Sequence, residues 1–354
     1  SIPATGAPAG GSMPSQDATA SGGAPSFDRR RFLKLAGFSF GGAALSGCTR
    51  GREEKLIPYL VKPEEITPGR TYSYASTCGA CTAACGILTR NRDGRPIKLE
   101  GNPSQPVSLG GLCAVGQASV LGLYDSQRLA APLAGGKQST WQEVDKSITA
   151  ALRTIRERSG SVRFLSQTVV SPSARAAIDE FVSGFPGGKW VEYDALSVSA
   201  LLDAHQEIWG ARALPRFHFD RATAIVSIDA DFLGTWISPV EHAAAYRRGR
   251  SLAGKDSRVS HHLQVESRVS LTGSNADERV AVKPSELVNV LGHLATEVAR
   301  RAGVSAPGMS TNSPISAARM EEIAKRLVDA PRGRALVVCG LNNLQAQRLT
   351  AFIN

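Results

Sequence analysis

The chain has 354 residues, of which 42% are apolar and only 6% aromatic, a length sufficient for about two domains with hydrophobic cores. Its formal net charge of +10, from 41 Lys and Arg against 31 Asp and Glu, would suit nucleic acid, an anionic membrane surface or an acidic partner. No zinc-finger, RNA-recognition or homeodomain signature accompanies this charge, so the composition argues against a nucleic-acid-binding protein.

The N-terminal region has the composition of a leader followed by an export signal. Residues 1–26 are rich in Ala, Gly, Pro and Ser with almost no charge, which predicts disorder. Within residues 27–48, twin arginines followed by Phe-Leu-Lys resemble a twin-arginine translocation signal, with Asp28 where Ser or Thr is usual. The mildly apolar run at 35–47 is too short to span a bilayer in the ordinary way and is typical of a signal peptide.

A cysteine ends this signal. Leu45-Ser46-Gly47-Cys48 resembles a lipobox, which predicts a diacylglyceryl anchor on Cys48; the alternative is an uncleaved signal with an incidental cysteine. The charged, proline-bearing stretch 49–70 then predicts an extended linker from the membrane to the globular part. We therefore expect a periplasmic protein held at the outer face of the cytoplasmic membrane.

Four cysteines in the pattern C-x2-C-x3-C-x27-C carry most of the functional information. These motif cysteines are Cys78, Cys81, Cys85 and Cys113. Three thiolates within eight residues can converge on one face of an iron–sulfur cluster, and the distant fourth can close the site. Twin-arginine export carries folded proteins, which suits a cofactor that is inserted before transport.

Disulfides and zinc are the two alternatives to a cluster at the motif cysteines. Disulfides stay open because the total of 6 cysteines is even and an export signal is present. Structural zinc also stays open, although its ligands more often come as two short-spaced pairs. The spacing favours the cluster, because closely spaced cysteine runs of this kind are a known ligand style for iron–sulfur sites.

The motif cysteines fall in a predicted β-rich iron–sulfur lobe, residues 71–130. Strands are predicted at 71–76, 86–90 and 95–100, and Asp93-Gly94 is a hairpin turn signal between the last two. A helix is predicted at 114–124, directly after the fourth cysteine. The first three cysteines would then lie on the leading loop of the lobe and the fourth on a later loop.

The remaining region, 131–354, alternates helical and apolar segments. Thr140 and Glu143 form a capping-box pair that starts the first helix. Buried strands are predicted at 162–165, 190–193, 224–228, 262–265, 280–282 and 335–338, with helices at 173–184, 197–209 and 285–301. These βα repeats predict a doubly wound, mostly parallel α/β fold that binds ligands at the carboxyl edge of its sheet. We expect this region to be incomplete at its C-terminus.

Taken together, the cysteine motif, the export signal and the α/β pattern resemble the molybdopterin oxidoreductase (DMSO reductase-like) family. Residues 94–103 and 110–116 are similar to the family segment that bears the fourth cysteine. The resemblance implies a 4Fe-4S cluster on the motif cysteines, beside a bis-molybdopterin guanine dinucleotide cofactor in active members.

A narrower resemblance is to the molybdopterin-enzyme-like B subunit of alternative complex III, a membrane quinol oxidoreductase. Residues 53–59, 61–69, 227–234, 266–267 and 272–279 carry it. It implies three partners: a ferredoxin-like iron–sulfur subunit or domain, an integral membrane quinone-binding subunit and a haem c subunit. Many members of that branch have lost the cysteines, whereas this chain keeps all four, which points to a surviving cluster.

The molybdenum site departs from the family pattern. Val115 stands where active relatives commonly carry a basic residue, and Lys283–Glu286 replaces a Pro-Gly-Thr-Asp-like segment that contacts the cofactor. Cys339, on a late strand, is expected to be a buried core thiol rather than a metal ligand. The remaining candidate metal ligands are Asp194, Ser197 and Ser199. Serines at a helix start are more often caps, so we expect the molybdopterin site to be degenerate.

Three hypotheses follow for the function. The favoured one is an iron–sulfur electron-transfer subunit without catalytic residues of its own; the others are a complete molybdoenzyme acting on a small oxyanion or sulfur compound and a cofactor-free structural subunit. His261-His262 does not predict a metal site, because adjacent side chains on a strand point to opposite faces. Asp229 and Asp231 follow a strand, where they would contact ribose or a cation, or else cap the next helix or bond loop amides.

Overall fold

The computed structural model describes residues 33–34, 66–252, 259–308 and 312–354. The chain divides into two units, residues 1–62 and 63–354, and the second contains all the elements described below. The predicted leader, most of the export signal with Cys48, and the linker up to residue 65 lie outside the described residues. Within the described ranges, no helix combines the length and hydrophobicity needed to cross a membrane.

The first part of this unit is a three-stranded antiparallel sheet. Its strands are β1 (Tyr72–Thr77), β2 (Gly86–Arg92) and β3 (Arg95–Gly101), in the order β1-β2-β3. Asp93 and Gly94 have φ values of 49° and 77°, the positive values that a two-residue type I′ hairpin requires. The hairpin predicted from Asp-Gly is thus confirmed.

A short helical segment covers this sheet. It consists of α1 (Ala114–Ala118) and a 3-10 turn (Ser119–Leu123), where the sequence predicted one continuous helix. Val120 from the turn packs with Ile87 and Leu99 to form a small core, against which Cys78 and Leu112 are partly buried. The motif cysteines therefore lie beside the core of this lobe.

The following segments form a hairpin and one βαβ unit. The hairpin is β4 (Leu133–Ala134) with β5 (Lys137–Gln138), and the later elements are α2 (Trp141–Glu157), β6 (Arg163–Ser166), α3 (Pro172–Ser183), β7 (Lys189–Glu192) and α4 (Ser199–Trp209). Strands β6 and β7 pair in parallel. The predicted capping box is confirmed, since the side chain of Thr140 accepts from the Glu143 N–H and that of Glu143 accepts from the Thr140 N–H.

Burial of this βαβ unit was predicted wrongly. Leu165 and Val191, paired across β6 and β7, are 71% and 44% exposed. Phe164, which points the other way, packs against Phe181 near the end of α3. Two strands with a helix on one side can bury only one face, whereas the apolar sequence suggested burial of both.

The rest of the chain forms a four-stranded parallel sheet with its helices. In chain order the elements are β8 (Ala224–Ile228), α5 (Pro239–Gly249), β9 (His261–Glu266), α6 (Leu271–Ser274), β10 (Glu278–Ala281), a 3-10 turn (Pro284–Glu286), α7 (Leu287–Ala302), α8 (Ala317–Val328), β11 (Ala335–Cys339) and α9 (Leu344–Ile353). The strand order is β10-β9-β8-β11.

Helices cover both faces of this sheet. Val226 and Ile228 of β8 pack with apolar residues of α7, α8 and α9, whereas Ile225 faces the opposite side and packs with Ala245 and Tyr246 of α5. Alternate residues of a strand point to opposite faces, so a fully apolar strand requires this double covering. The predicted doubly wound α/β fold is confirmed.

The order in which strands are added to this sheet reverses at β8. The chain runs from β8 through β9 to β10 on one side and then crosses to β11 on the other side. Parallel sheets bind ligands at such a switch point, outside the carboxyl ends of the strands. Here the ends of β8 and β11 lie so close together that a Cβ on Gly340 would be 2.2 Å from the carbonyl oxygen of Asp229.

Leu291 of α7 tests the main core. It is fully buried among residues of the sheet, so Leu291→Ala is expected to lower the free energy of unfolding by about 2–5 kcal/mol, through lost burial and a cavity. Leu271→Ala, at an exposed leucine, is the control and should change it by less than about 0.5 kcal/mol. Equal effects of the two substitutions in guanidinium unfolding would contradict the central place of Leu291 in the core.

Candidate iron–sulfur site

The first three motif cysteines lie on the tight loop that joins β1 to β2. The Cys78 N–H donates to the Cys85 carbonyl at 2.8 Å, and the Ala84 N–H donates to the Cys81 carbonyl at 3.3 Å. Ala84 adopts a left-handed conformation with φ of 46°, which a small side chain tolerates better than a β-branched one. The two bonds fold the loop on itself, so that its three thiols share one end of the sheet.

The fourth cysteine is brought to this end by the loop after β3. The Asn102 N–H donates to the Gly86 carbonyl at 2.9 Å, and the Gly110 N–H donates back to the Asn102 carbonyl at 3.1 Å. The loop can fold back onto the end of β3 only because residue 101 is glycine. A Cβ there would lie 2.1 Å from the Gly110 carbonyl oxygen. The loop then delivers Cys113 as the N-cap of α1, where its Sγ accepts from the Gly116 N–H at 3.4 Å.

A helix of the α/β region also supports this loop. Gly111 packs so tightly on the first turn of α5 that a Cβ would lie 2.5 Å from Cγ1 of Val240. Helix α5 follows the loop that leaves the carboxyl end of β8. The position of the fourth cysteine is therefore fixed both by β3 and by the start of a helix of the α/β region.

The four thiols are unpaired and interact with one another. Cys85 is buried, and its pKa is raised first by this burial and further by the nearby thiolates of Cys81, Cys78 and Cys113. All four are free cysteines, so the disulfide alternative is wrong for them. A buried thiol of raised pKa ionises readily only when a metal compensates its charge, which couples cluster binding to loss of the thiol proton.

Structural zinc is the second alternative for the motif cysteines. Among the described residues, no three His, Cys, Asp or Glu side chains are gathered closely enough for a single metal ion. Four sulfurs around one zinc would lie about 4 Å apart, given a Zn–S bond of about 2.3 Å. In a 4Fe-4S cluster each thiolate binds a different iron, so the sulfurs stand farther apart. Four cysteine thiols are the usual ligand set of such a cluster.

The surroundings of the thiols divide the site into two sides. Cys85 is buried and Cys78 half-buried beside the small core, whereas Cys81 and Cys113 are exposed. Val115, in the first turn of α1, is also exposed. A cluster held here would have one side against apolar packing and the other open to a redox partner or further polypeptide.

Three comparisons with known proteins bear on this lobe and on the fold. Residues 71–125 match the family model described as the molybdopterin oxidoreductase Fe4S4 domain. With the fold and the four free thiols, this match identifies a chain that carries an iron–sulfur lobe ahead of an α/β region. The lobe is thus similar to the Fe4S4 domain of molybdopterin oxidoreductases, which supports a DMSO reductase-like relationship for the chain.

Two relatives extend the similarity beyond the lobe. The chain is 22% identical over 323 residues to the menaquinone reductase molybdopterin-binding-like subunit of Nitratidesulfovibrio vulgaris, which covers 87% of this chain and 45% of that subunit. It is 25% identical over 288 residues to the molybdopterin-containing subunit of thiosulfate reductase from Salmonella typhimurium, covering 75% of this chain and 34% of the relative. The chain thus spans less than half the length of both relatives.

A solved structure supports the fold. Acetylene hydratase from Pelobacter acetylenicus superposes with a TM-score of 0.57 at 12% identity, covering 79% of this chain and 42% of that protein. At this identity the likeness concerns the fold alone.

The residues predicted as candidate molybdenum ligands are engaged within the chain. Asp194 accepts from the N–H and the hydroxyl of Thr168, at 2.9 and 2.5 Å. Ser197 Oγ accepts from the Ser199 N–H at 3.1 Å, and Ser199 Oγ donates to Asn342 Oδ1 at 3.2 Å. These bonds tie the segment before α4 to neighbouring loops. The expectation that the serines cap the helix is wrong, because the N-cap is Val198 and makes no side-chain cap bond.

Acidic groups at the carboxyl edge of the sheet are also satisfied internally. Asp231 Oδ1 accepts from the N–H and the hydroxyl of Thr272, at 3.1 and 2.8 Å. Burial raises the pKa of Asp229, which has a left-handed φ of 52°. Glu266, which sequence reasoning did not predict as a buried polar group, is almost fully buried and pairs with Arg279 at 2.6 Å. Its position at the end of a strand predicted to be buried is the sequence feature that could have predicted a buried, paired carboxylate.

The two adjacent histidines lie as predicted on opposite faces of β9. His261 contacts Glu278 at 2.7 Å, whereas His262 is fully buried beside Tyr246 at 3.1 Å. Both histidines are thus engaged in contacts within the fold. Asp194, Ser197 and Ser199 likewise each have hydrogen-bond partners within the chain.

Cys81→Ser tests the ligand set. A serine oxygen is a poorer iron ligand than a thiolate, so we expect loss of the cluster or its conversion to a three-iron form, measured by iron content and electron paramagnetic resonance. Cys339→Ala is the control, because Cys339 is buried in the other core, away from the motif. Full iron content and an unchanged spectrum in Cys81→Ser would contradict the assignment.

Gly101→Ala tests whether the loop after β3 sets the fourth ligand. The added methyl group collides with the Gly110 carbonyl, so the loop must shift, at a cost of about 1–3 kcal/mol. We expect a lower iron-to-protein ratio after purification without air. Gly122→Ala, where a Cβ meets nothing within 4 Å, is the control and should keep the wild-type ratio.

Proposed function

We propose that this chain is the iron–sulfur electron-transfer subunit of a membrane-bound quinol oxidoreductase complex resembling alternative complex III. The observation that carries the proposal is the meeting of four unpaired thiols at one end of the lobe, with Cys85 buried and interacting with the other three. The similarity to a subunit named for menaquinone reductase supports a quinone-linked role.

The motif cysteines would bind a 4Fe-4S cluster. When bound, such a cluster supplies one-electron transfer, with a potential set by its hydrogen bonds and its solvent exposure. In this chain the Gly116 N–H donates to Cys113 Sγ and thereby stabilises negative charge on that sulfur. The apolar packing around Cys78 and Cys85 excludes water from one side, which favours the less charged state of the site.

The proposal includes a degenerate molybdopterin site. Asp194, Ser197 and Ser199 are bonded within the chain, and Val115 occupies a position where active relatives commonly have a basic residue. The α/β region would then act as a scaffold that positions the lobe, as the contact between Gly111 and Val240 suggests.

The proposed location and partners follow from the export signal and from the family branch. The chain would be exported by the twin-arginine route and anchored through lipid on Cys48, at the outer face of the cytoplasmic membrane. Its partners would be a ferredoxin-like iron–sulfur subunit or domain, an integral membrane quinone-binding subunit and a haem c subunit. The open side of the site, at Cys81 and Cys113, suits electron exchange with such a neighbour.

Metal analysis of protein purified without air tests this function. We expect about four iron atoms per chain with a matching amount of sulfide, a reducible paramagnetic signal, and molybdenum far below one per chain. Stoichiometric molybdenum would instead support a complete molybdoenzyme. Protein that binds no iron even after reconstitution with iron and sulfide would support a purely structural subunit.

A further inference from the structure

A chain of buried polar side chains runs along one face of the central strand β9. His262, Gln264 and Glu266 are alternate residues of this strand and are almost completely buried. His262 Nε2 lies 3.3 Å from Gln264 Oε1, and Gln264 Nε2 donates to Glu266 Oε2 at 3.1 Å. At the other end, His262 Nδ1 lies 3.1 Å from the hydroxyl of Tyr246. None of these groups belongs to the proposed cluster site.

The ionised carboxylate of Glu266 determines which group donates in each hydrogen bond of this row of side chains. Burial opposes its charge, but hydrogen bonds from Ser270, Arg279 and Gln264 hold the pKa of Glu266 below its ordinary value. Arg279 Nε lies 2.6 Å from one carboxylate oxygen, and the Ser270 hydroxyl donates to the other at 2.6 Å. An ionised carboxylate can only accept, so Gln264 must turn its amide NH₂ toward Glu266 and its carbonyl oxygen toward His262.

This orientation determines which nitrogen of His262 carries the proton. The Gln264 carbonyl oxygen can only accept, so His262 Nε2 must be the N–H donor of the neutral ring. His262 Nδ1 is then a bare acceptor that faces the Tyr246 hydroxyl. Burial raises the pKa of Tyr246 to about 12, so this hydroxyl keeps its proton.

The Tyr246 hydroxyl has two acceptors for one proton. It lies 3.1 Å from His262 Nδ1 and 3.0 Å from the carbonyl oxygen of Asn275. With a neutral ring the hydroxyl can donate to only one of them; Asn275 is exposed, so water can satisfy its carbonyl when the hydroxyl turns to His262. With a protonated ring, Nδ1–H donates to the tyrosine oxygen and the tyrosine donates to Asn275, so every contact is satisfied.

Charged neighbours of His262 both raise and lower its pKa. Asp277 favours its protonation and accepts the backbone N–H of His262 at 2.7 Å, whereas Arg250 and His261 oppose protonation. Glu266 lies farther along the strand, and the ring of Phe232, centred 5.3 Å away, adds no charge. Burial is the largest effect and lowers the pKa of His262 to about 4.

We propose that His262 is an interior proton-binding site whose tautomer is set by the Glu266 carboxylate through Gln264. On protonation, one proton is taken from solvent onto Nδ1, and the Tyr246 hydroxyl turns from His262 to the Asn275 carbonyl. No electron or other reactant is involved. The strand thereby links the charge state of its carboxyl edge to a hydrogen bond near the opposite end of the sheet.

The tautomer is measured by nitrogen-15 NMR on the whole chain labelled at histidine. The His262 signals are assigned by their loss in His262→Gln. In the wild-type protein at pH 7 we expect the Nε2–H tautomer. The Nδ1–H tautomer in the wild-type protein would overturn the proposal, whether or not any variant folds.

Two variants test whether Gln264 determines the tautomer of His262. Gln264→Met keeps the side-chain volume but removes the acceptor at Nε2, so the ring should switch to Nδ1–H, which then donates to Tyr246. Tyr246→Phe removes the partner on the other side and should leave Nε2–H in place. An unchanged tautomer in folded Gln264→Met would overturn the proposal.

The pH dependence gives a separate readout. We expect the His262 nitrogen signals to titrate with a midpoint near the pKa of about 4. Unfolded histidine has a pKa of about 6.5, so the unfolded state binds more protons between these values. Stability should therefore fall as the pH is lowered from about 6.5 through 4, and less so in His262→Gln. A His262 signal that titrates at about pH 6.5 would contradict the proposed burial of the site.

Discussion

The candidate site depends on one constraint, the closure of a loop around thiols that are distant in sequence. Cys85 and Cys113 are separated by two strands and a long loop, and bringing their surroundings together has an entropic cost that grows with loop length. The chain offsets it with local hydrogen bonds between Asn102 and Gly86 and between Gly110 and Asn102. Without this return the first three cysteines would form an open half-site.

The lobe contacts the α/β region at the loop that carries the fourth cysteine. The contact of Gly111 with Val240 places the fourth-ligand loop on the first turn of α5, which itself starts from the carboxyl side of β8. The sheet is therefore part of the support of the thiol site, even though none of its own residues is a candidate ligand.

Polar residues of the sheet follow a common pattern of internal pairing. Asp231 bonds to Thr272, Glu266 to Arg279, and Asp194 to Thr168. Buried charges need such partners, because removal from water is costly when it is uncompensated. In β9 the same requirement extends along the strand and orders His262 and Tyr246, so the interior of the sheet has a defined direction of hydrogen bonding.

The amino-acid sequence by itself determined the local features of this protein. The Asp93-Gly94 turn, the Thr140 capping box and the apolar strand at 224–228 each depend on neighbouring residues, and short-range rules therefore predicted them. The tertiary structure alone decided which apolar faces are covered and which polar groups meet. Leu165 is exposed and Glu266 is buried, because burial depends on elements far away in sequence that pack, or fail to pack, against each side chain.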